Sequence, residues 1–278
     1  MPGRRLALSV LLLLAATARA APDEHPPATP PLPKASGAPT APAPPPSTPP
    51  PPPSLPASFV SGVPTTVPVP GDKPVYVIHA PAENRRVLVY LHGWCGKIES
   101  VETWKETAAA HGTLVALSGD LKCPNGRTKW SKKTEQQHER IQRAILAVKE
   151  ARDGALDPDN LMLIGYSQGA ARAYRLAQRH STTYSRLVLG GPPERPSTEY
   201  LGRARAIAVL GGELETTEYM RDGTADLQEA GKLARYFMLP KSRHGEYGPE
   251  AERVMTEVLD WLERVAPEES AAASEERG

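Results

Sequence analysis

The chain has 278 residues, a formal net charge of +1 at pH 7 and only 5% aromatic residues. Proteins that bind nucleic acid usually carry a basic surface interleaved with aromatic side chains, and this sequence has no such stripe. Composition and charge therefore argue against nucleic acid as a partner, and the length allows one large domain or two small ones.

The first twenty residues have the pattern of an export signal. Arg4 and Arg5 precede the apolar run 6–16, and residues 18–20 have the small-x-small pattern of a signal peptidase site. The run is too short to span a membrane as a helix, and it is too uniformly apolar for an amphipathic helix. We therefore expect a signal peptide at 1–20, a periplasmic or extracellular protein, and no stable membrane insertion after cleavage.

Proline dominates the segment that follows. Residues 21–58 contain 17 of the 31 prolines and almost no large apolar side chains. Such a segment cannot bury enough surface to offset the entropy of ordering it, so we expect a disordered linker. Residues 267–278 have the composition of a disordered, solvated tail. Residues 59–266 remain, which is enough for one domain with a substantial core.

Short apolar runs alternate with helical patterns through this domain. Six continuous runs predict strands that are buried on both faces: 87–93, 113–120, 161–167, 186–191, 206–212 and 234–240. Two proline-interrupted runs predict weaker edge strands: 65–70 and 74–80. Apolar residues at helical spacing predict five helices: 99–111, 132–152, 168–180, 224–232 and 249–265. This alternation predicts a three-layer α/β/α sandwich with a mostly parallel sheet. The short connection 192–205 leaves no room for a large lid domain.

A serine stands at the junction of the third run and the next helix. Residues 165–169, Gly-Tyr-Ser-Gln-Gly, match the G-x-S-x-G pattern in the strand–turn–helix context that this pattern requires. Glycines two residues either side permit a tight turn that exposes the serine hydroxyl. Phosphate-binding loops use similar glycines, but the Lys-Ser or Lys-Thr pair that completes them does not follow here. Ser167 is therefore the candidate nucleophile.

A serine nucleophile needs a base and an acid that orients it. In proteins with this motif the chain order is serine, acid, histidine. His244, the last histidine, follows the sixth run at the place expected for the base. Glu215, just after the fifth run, is the preferred acid and Glu213 is the alternative, while Asp222 and Asp226 are more distant candidates.

Two backbone amides are candidates for an oxyanion hole. One is the N–H of Gln168 at the start of a helix, and the other is the N–H of Trp94, where the first strong strand ends in His-Gly. We interpret His92 as a brace for this loop rather than as a base. Neither an H-E-x-x-H motif nor paired-cysteine metal spacing occurs in the sequence, so we expect no metal and no organic cofactor.

The sequence contains only two cysteines, Cys95 and Cys123. In an exported protein an even pair predicts a disulfide, and two free thiols are the alternative. Three further residues are candidate substrate contacts at the rim of the site: Arg127, Trp130 and Tyr166.

With these residues in place, the chain resembles the α/β-hydrolase superfamily across most of 75–265. It is similar to small carboxylesterases and lysophospholipase-like thioesterases, whose nucleophile turn often reads GFSQGG or GYSQGG. The resemblance to dienelactone hydrolases is more distant, because they carry a cysteine where this chain has Ser167. The resemblance implies an α/β-hydrolase fold with Ser167 as nucleophile and His244 as base. Two departures are Glu215 in place of the usual aspartate and Ala170 in place of a second glycine.

The leading hypothesis is an exported serine hydrolase that cleaves small-molecule carboxylic esters through an acyl-enzyme on Ser167. Serine peptidases and amidases use the same triad and are the first alternative. The second alternative is a non-catalytic envelope binding protein with the same fold, because a fold does not by itself define a function.

Overall fold

The computed structural model describes residues 60–159 and 161–267. The predicted signal peptide (1–20), the predicted linker (21–58) and residues 268–278 of the predicted tail lie outside the described residues. None of the helices in the described part combines the length and the apolar composition that a membrane crossing requires.

A mixed, mostly parallel sheet forms the centre of the domain. The strands of the described residues are β1 (Pro64–Val67), β2 (Val75–Ile78), β3 (Val87–Leu91), β4 (Thr113–Leu117), β5 (Leu121–Lys122), β6 (Thr128–Lys129), β7 (Leu161–Tyr166), β8 (Arg186–Gly190), β9 (Ala206–Gly212) and β10 (Leu233–Leu239). Eight of them form one sheet in the order β1-β2-β4-β3-β7-β8-β9-β10, and β5 pairs with β6 in a separate hairpin. Strand β2 runs antiparallel to both of its neighbours. The other six strands of this sheet, β4, β3, β7, β8, β9 and β10, are parallel to one another.

The central strands are buried along their whole length. Every residue of β3, β4, β7, β8 and β9 is buried, which explains why their sequences are continuously apolar rather than alternating. Burying one leucine, isoleucine or valine side chain contributes about 1.5–3 kcal/mol. The sheet is therefore a rigid base from which loops at its carboxyl edge can be positioned.

Helices cover both faces of the sheet. They are α1 (Lys105–His111), which continues the 3₁₀ turn Ile98–Trp104, α2 (Thr134–Ala151), α3 (Gln168–Arg179), α4 (Thr198–Leu201), α5 (Glu218–Glu229) and α6 (Ala251–Val265). Ile141 of α2, Tyr174 of α3 and Leu227 of α5 belong to the core on one face. Trp104 of the 3₁₀ turn and Leu259 of α6 belong to the core on the other face. The predicted three-layer α/β/α sandwich is confirmed.

The structure differs from the predicted elements in several places. Strand β2 was expected at an edge but lies between β1 and β4, because its proline, Pro74, precedes the strand and leaves every N–H of β2 in place. Strand β10 was expected to be buried on both faces but is the edge strand and is exposed at several positions.

Helix α5 spans Glu218–Glu229 rather than 224–232, and Gly223 lies within it on the buried face, where a Cβ would collide with the Pro196 carbonyl. The β5–β6 hairpin was not predicted, since its strands have only two residues each. The four-residue α4 between β8 and β9 was not predicted either, but it is too small to act as a lid domain, as the length of this connection led us to expect.

Candidate active site

The carboxyl ends of three parallel strands bring together a serine, a histidine and a carboxylate. Ser167 follows β7, Glu215 lies beyond β9 and His244 lies beyond β10. The Nε2 atom of His244 lies 3.0 Å from the Oγ of Ser167, and its Nδ1 lies 2.7 Å from the Oε2 of Glu215. Both distances are those of hydrogen bonds. The three side chains that the sequence pointed to therefore form one continuous hydrogen-bonded chain.

The backbone of Ser167 is strained and held at both sides. Its φ is +52° and its ψ is −114°, a combination that costs about 1–3 kcal/mol for a residue with a side chain. The Ser167 N–H donates to the Gly190 carbonyl of β8 at 2.7 Å, and the Ser167 carbonyl accepts the N–H of Ala171 at 3.1 Å. These bonds fix the hydroxyl above the edge of the sheet.

The glycines of the serine turn are required by close backbone packing. A Cβ at Gly169 would lie 1.9 Å from the Leu91 carbonyl oxygen of β3, and a Cβ at Gly165 would lie 2.5 Å from the Gly169 carbonyl oxygen. Atoms cannot approach so closely without displacing the main chain. The G-x-S-x-G pattern therefore lets helix α3 start directly against β3 and β7.

Glu215 is the carboxylate that reaches the histidine. Its Oε1 accepts the Gly212 N–H at 2.6 Å while Oε2 bonds His244, so both oxygens are held, and its side chain is only 10% exposed. Asp222 and Asp226, the distant candidates, lie within ion-pair distance of Arg195 instead.

Glu213, the alternative acid, joins two loops instead. Its N–H donates to Leu239 at 2.9 Å, and its carboxylate accepts the Lys241 N–H at 2.7 Å. The next residue, Leu214, donates its N–H to the Ser242 carbonyl at 2.9 Å. Three hydrogen bonds therefore connect the loop that carries Glu215 to the loop that carries His244.

The Glu215 carboxylate defines the protonation of the histidine. A carboxylate only accepts hydrogen bonds, so Nδ1 of His244 carries a proton and Nε2 is left to accept the Ser167 hydroxyl. The hydrogen bond from Glu215 raises the pKa of His244 above its ordinary value of 6.5, although partial burial of the ring opposes this. The histidine can thus act as a base once it is neutral.

Tyr166 positions the histidine loop from beneath. Its side chain is only 3% exposed, and its hydroxyl accepts the Gly245 N–H at 3.1 Å and donates to the Glu246 carbonyl at 3.3 Å. Its ring lies 5.8 Å from the His244 ring, centroid to centroid. Tyr166 was expected at the rim; the structure places it on the wall of the cavity but commits its hydroxyl to the histidine loop.

The peptide between Gly93 and Trp94 is clamped in one orientation. The Gly93 carbonyl accepts hydrogen bonds from His92 Nδ1 at 2.7 Å and from the Gly96 N–H at 3.0 Å. His92 Nε2 accepts the Gly119 N–H at 3.0 Å, so the proton of this buried ring is on Nδ1. Burial lowers the pKa of His92, which keeps it neutral. His92 is therefore a brace and not a base.

This clamp leaves the Trp94 N–H pointing away from the Gly93 carbonyl, because the two groups lie on opposite sides of a trans peptide. In the part of the chain that the structure describes, neither the Trp94 N–H nor the Gln168 N–H donates to a protein acceptor. Gln168 begins helix α3, whose dipole favours negative charge at this end. Both amides are available to a substrate oxygen.

Trp130 does not lie at the rim, contrary to expectation. Its side chain is 3% exposed, and its indole N–H donates to the His92 carbonyl at 2.8 Å. Its backbone N–H and carbonyl bond the side-chain amide of Gln168 at 2.9 and 3.1 Å. The indole is buried because it belongs to the hydrophobic core, and Trp130 contacts both His92, two residues before Trp94, and the side chain of Gln168.

A disulfide joins Cys95 to Cys123, with 5.9 Å between their Cα atoms. It links the loop after β3 to the turn of the β5–β6 hairpin. Within that turn the Cys123 N–H donates to the Arg127 carbonyl at 2.9 Å. Arg127 is exposed, and its Nη1 lies 3.5 Å from the Cys95 carbonyl. The disulfide therefore anchors the segment that follows Trp94 to the β5–β6 hairpin.

Replacing Cys95 and Cys123 together by alanine is expected to lower the free energy of unfolding by about 3–4 kcal/mol. The two residues are 28 positions apart, and a loop of this length loses about that much conformational entropy in the unfolded chain when it is closed. Urea unfolding followed by circular dichroism measures the difference. Wild-type protein with a reducing agent is the control and should match the variant; a difference below about 1 kcal/mol would contradict the prediction.

A cavity of about 520 Å³ opens in front of the triad, which is the size of a small-molecule site. Ser167, His244, Tyr166, Trp94 and Arg127 contribute to its walls. Among the described residues, no group of three or more histidine, cysteine, aspartate or glutamate side chains is arranged to hold a metal ion.

Comparison with known proteins gives one similar sequence and many similar folds. No family model matches the chain. It is 33% identical over 209 residues to "Putative esterase NocK" of Nocardia uniformis subsp. tsuyamanensis; the match covers 69% of this chain but only 58% of that protein's length.

Two solved structures show the same architecture. MGS-M1, an α/β hydrolase enzyme from a Medee basin deep-sea metagenome library, has a TM-score of 0.53 at 14% identity, over 73% of this chain and 97% of its own. A highly thermostable carboxyl esterase from Bacillus coagulans has a TM-score of 0.52 at 11% identity, over 73% of this chain and 98% of its own. The protein therefore has the α/β-hydrolase fold, and the resemblance seen in its motifs is confirmed at the level of the fold.

Proposed function

We propose that the protein is a serine hydrolase that cleaves small-molecule carboxylic esters. The observation that carries this proposal is the hydrogen-bonded chain Ser167–His244–Glu215, which faces a cavity beside two unengaged backbone amides. Similarity to a protein described as an esterase supports the ester as substrate.

The geometry suits a two-step acyl transfer. His244 Nε2 takes the proton of Ser167 as its oxygen attacks the ester carbonyl, and the N–H groups of Trp94 and Gln168 bind the resulting oxyanion. The alcohol leaves with the proton from His244, and the acyl group stays on Ser167. Water then attacks this acyl-enzyme, again giving a proton to His244, which passes it to the Oγ of Ser167 as the bond between this oxygen and the acyl carbon breaks and the carboxylic acid is released. Glu215 stabilises the imidazolium in both steps.

We also propose that the protein acts outside the cytoplasm, either in the periplasm or beyond the cell. The signal pattern of residues 1–20 supports export, and the Cys95–Cys123 disulfide suits an oxidising compartment. Sequencing the N-terminus of the protein isolated from its own cells is expected to begin at Ala21. An N-terminus that retains Arg4 and Arg5 would reject cleavage.

Labelling with a fluorophosphonate tests the proposed chemistry. We expect one equivalent to attach to Ser167, detected by peptide mass spectrometry, and turnover of 4-nitrophenyl butyrate to cease as the label is incorporated. Peptide 4-nitroanilides are compared in parallel; hydrolysis of these at the rate of the ester would favour a peptidase. Folded protein that neither takes up label nor hydrolyses either substrate would be a binding protein and not a hydrolase.

A further inference from the structure

The wall of the active-site cavity is positively charged. Lys97 and Arg127 line it, and none of its lining residues, all of which belong to the described part, is an aspartate or a glutamate. His244 adds further positive charge whenever it is protonated. The cavity therefore offers a favourable environment for an anionic group of a bound molecule, beyond the oxyanion that forms during the reaction.

Neither side chain is neutralised by the protein. Within residues 60–159 and 161–267, Lys97 and Arg127 form no ion pair, and the single hydrogen bond of the Arg127 guanidinium is the 3.5 Å contact with the Cys95 carbonyl. Arg140, by contrast, is paired with Asp72 at 2.6 Å. The two cations of the cavity wall are thus available to a ligand.

The disulfide brings these two cations to the same place. Lys97 follows Cys95 by two residues and Arg127 follows Cys123 by four. The Arg127 carbonyl is in turn held by the Cys123 N–H. The main chain that carries both side chains is therefore fixed, although the side chains themselves are exposed.

A second cavity of about 560 Å³ adjoins the first, and Gly96, Lys97 and Arg127 line both. Lys97 and Arg127 therefore lie at the junction of the two cavities. Glu99 lines only the second cavity. Its carboxylate repels an anion that goes further in, which favours binding at the junction itself.

We propose that the preferred substrates are esters that carry a second, ionised carboxyl group, bound at this junction by Arg127 and Lys97. The inference rests on the proposed esterase function. The planar guanidinium of Arg127 can donate two parallel hydrogen bonds to a carboxylate, and Lys97 adds a second charge. Such a group would bind at a distance from the ester bond and would align it with Ser167.

Matched ester pairs test the inference. The half-esters of glutaric, adipic and pimelic acid with 4-nitrophenol are each compared with a neutral ester in which an isopropyl group replaces the free carboxylate. For at least one chain length we expect wild-type kcat/KM to be 10- to 100-fold higher for the half-ester, mainly through a lower KM. We also expect this preference to shrink in 0.5 M NaCl, since salt screens charges near the surface.

Three variants locate the effect. Arg127→Gln is expected to reduce kcat/KM for the preferred half-ester at least tenfold and for its neutral partner by less than about twofold, and Lys97→Gln is expected to act in the same direction. Arg203→Gln is the matched control, because Arg203 is an exposed arginine that precedes β9, at the opposite edge of the sheet from the triad. Arg203→Gln is expected to leave kcat/KM unchanged for both the half-ester and its neutral partner.

The possible failures are distinguishable. Wild-type protein that hydrolyses both members of every pair equally well would overturn the acidic substrate and leave the esterase intact. The same holds if Arg127→Gln slows both members equally. Protein that neither hydrolyses these esters nor takes up a fluorophosphonate would overturn the esterase and, with it, the inference.

Discussion

Alanine in place of Ser167 is expected to lower kcat for 4-nitrophenyl butyrate by about 10⁶-fold, the loss typical of a missing serine nucleophile. The Oγ of Ser167 is the atom placed 3.0 Å from the histidine base, and alanine has no group to attack with. The oxyanion amides would remain, so slow hydrolysis above the rate in water is expected to persist. Stopped assays over days, corrected for hydrolysis without enzyme, measure the residual activity of the variant.

Ser181→Ala is the matched control, because Ser181 follows the far end of helix α3, which begins directly after Ser167. It should retain wild-type turnover, and circular dichroism should show all three proteins equally folded. If Ser167→Ala keeps more than a tenth of the wild-type activity, another nucleophile carries the reaction and the proposed mechanism is wrong.

Glutamine in place of Glu215 is expected to lower kcat/KM by about 10⁴-fold, although it adds no bulk. In the wild-type protein the Gly212 N–H occupies one carboxylate oxygen and His244 Nδ1 the other. The glutamine carbonyl can accept only one of these donors. Because the Gly212 N–H is fixed, the amide NH₂ would face Nδ1, and the imidazole would have to carry its proton on Nε2. A histidine in that tautomer cannot accept the proton of Ser167.

The pH profile separates this effect from a general loss of structure. His244 acts as a base only when neutral, so wild-type kcat/KM should rise with pH through a pKa above 6.5, as the Glu215 hydrogen bond requires. In Glu215→Gln the carboxylate that raises the His244 pKa is gone while the burial that lowers it remains. The residual activity should therefore still rise with pH, but through a lower pKa than in the wild type. Glu213→Gln is the control: its amide oxygen can still accept the Lys241 N–H, and activity should stay within about twofold. A loss as large in Glu213→Gln would refute the assignment of the acid.

Local patterns in the sequence were sufficient to predict most strands of the sheet and the tight turn at Ser167. Strands such as β3 and β7 are buried on both faces and are therefore apolar at every position, and the turn at Ser167 has a glycine requirement that a short motif can express. Trp130 could not be placed in this way. Its position depends on the β5–β6 hairpin, whose two-residue strands leave no periodic signal.

Contacts between distant segments were also beyond the sequence. Tyr166 holds backbone groups 79 and 80 positions further along the chain, and nothing around it distinguishes a tyrosine that positions a loop from one that touches substrate. The choice between Glu215 and Glu213 as the acid likewise depended on tertiary contacts, because the Gly212 N–H binds the Glu215 carboxylate and the Lys241 N–H binds that of Glu213. Helix α5 was misplaced because small residues, Gly223 and Thr224, make up part of its buried face.

The three hydrogen bonds between the loops of Glu215 and His244 make base and acid a single mechanical unit. These bonds fix the mutual orientation of the two loops, and Tyr166, the residue before Ser167, ties the histidine loop to the serine turn through Gly245 and Glu246. For protein engineering, the segments 212–216 and 239–245 should therefore be exchanged together, because exchanging either alone would remove hydrogen bonds that hold the His244 loop beside the Glu215 loop.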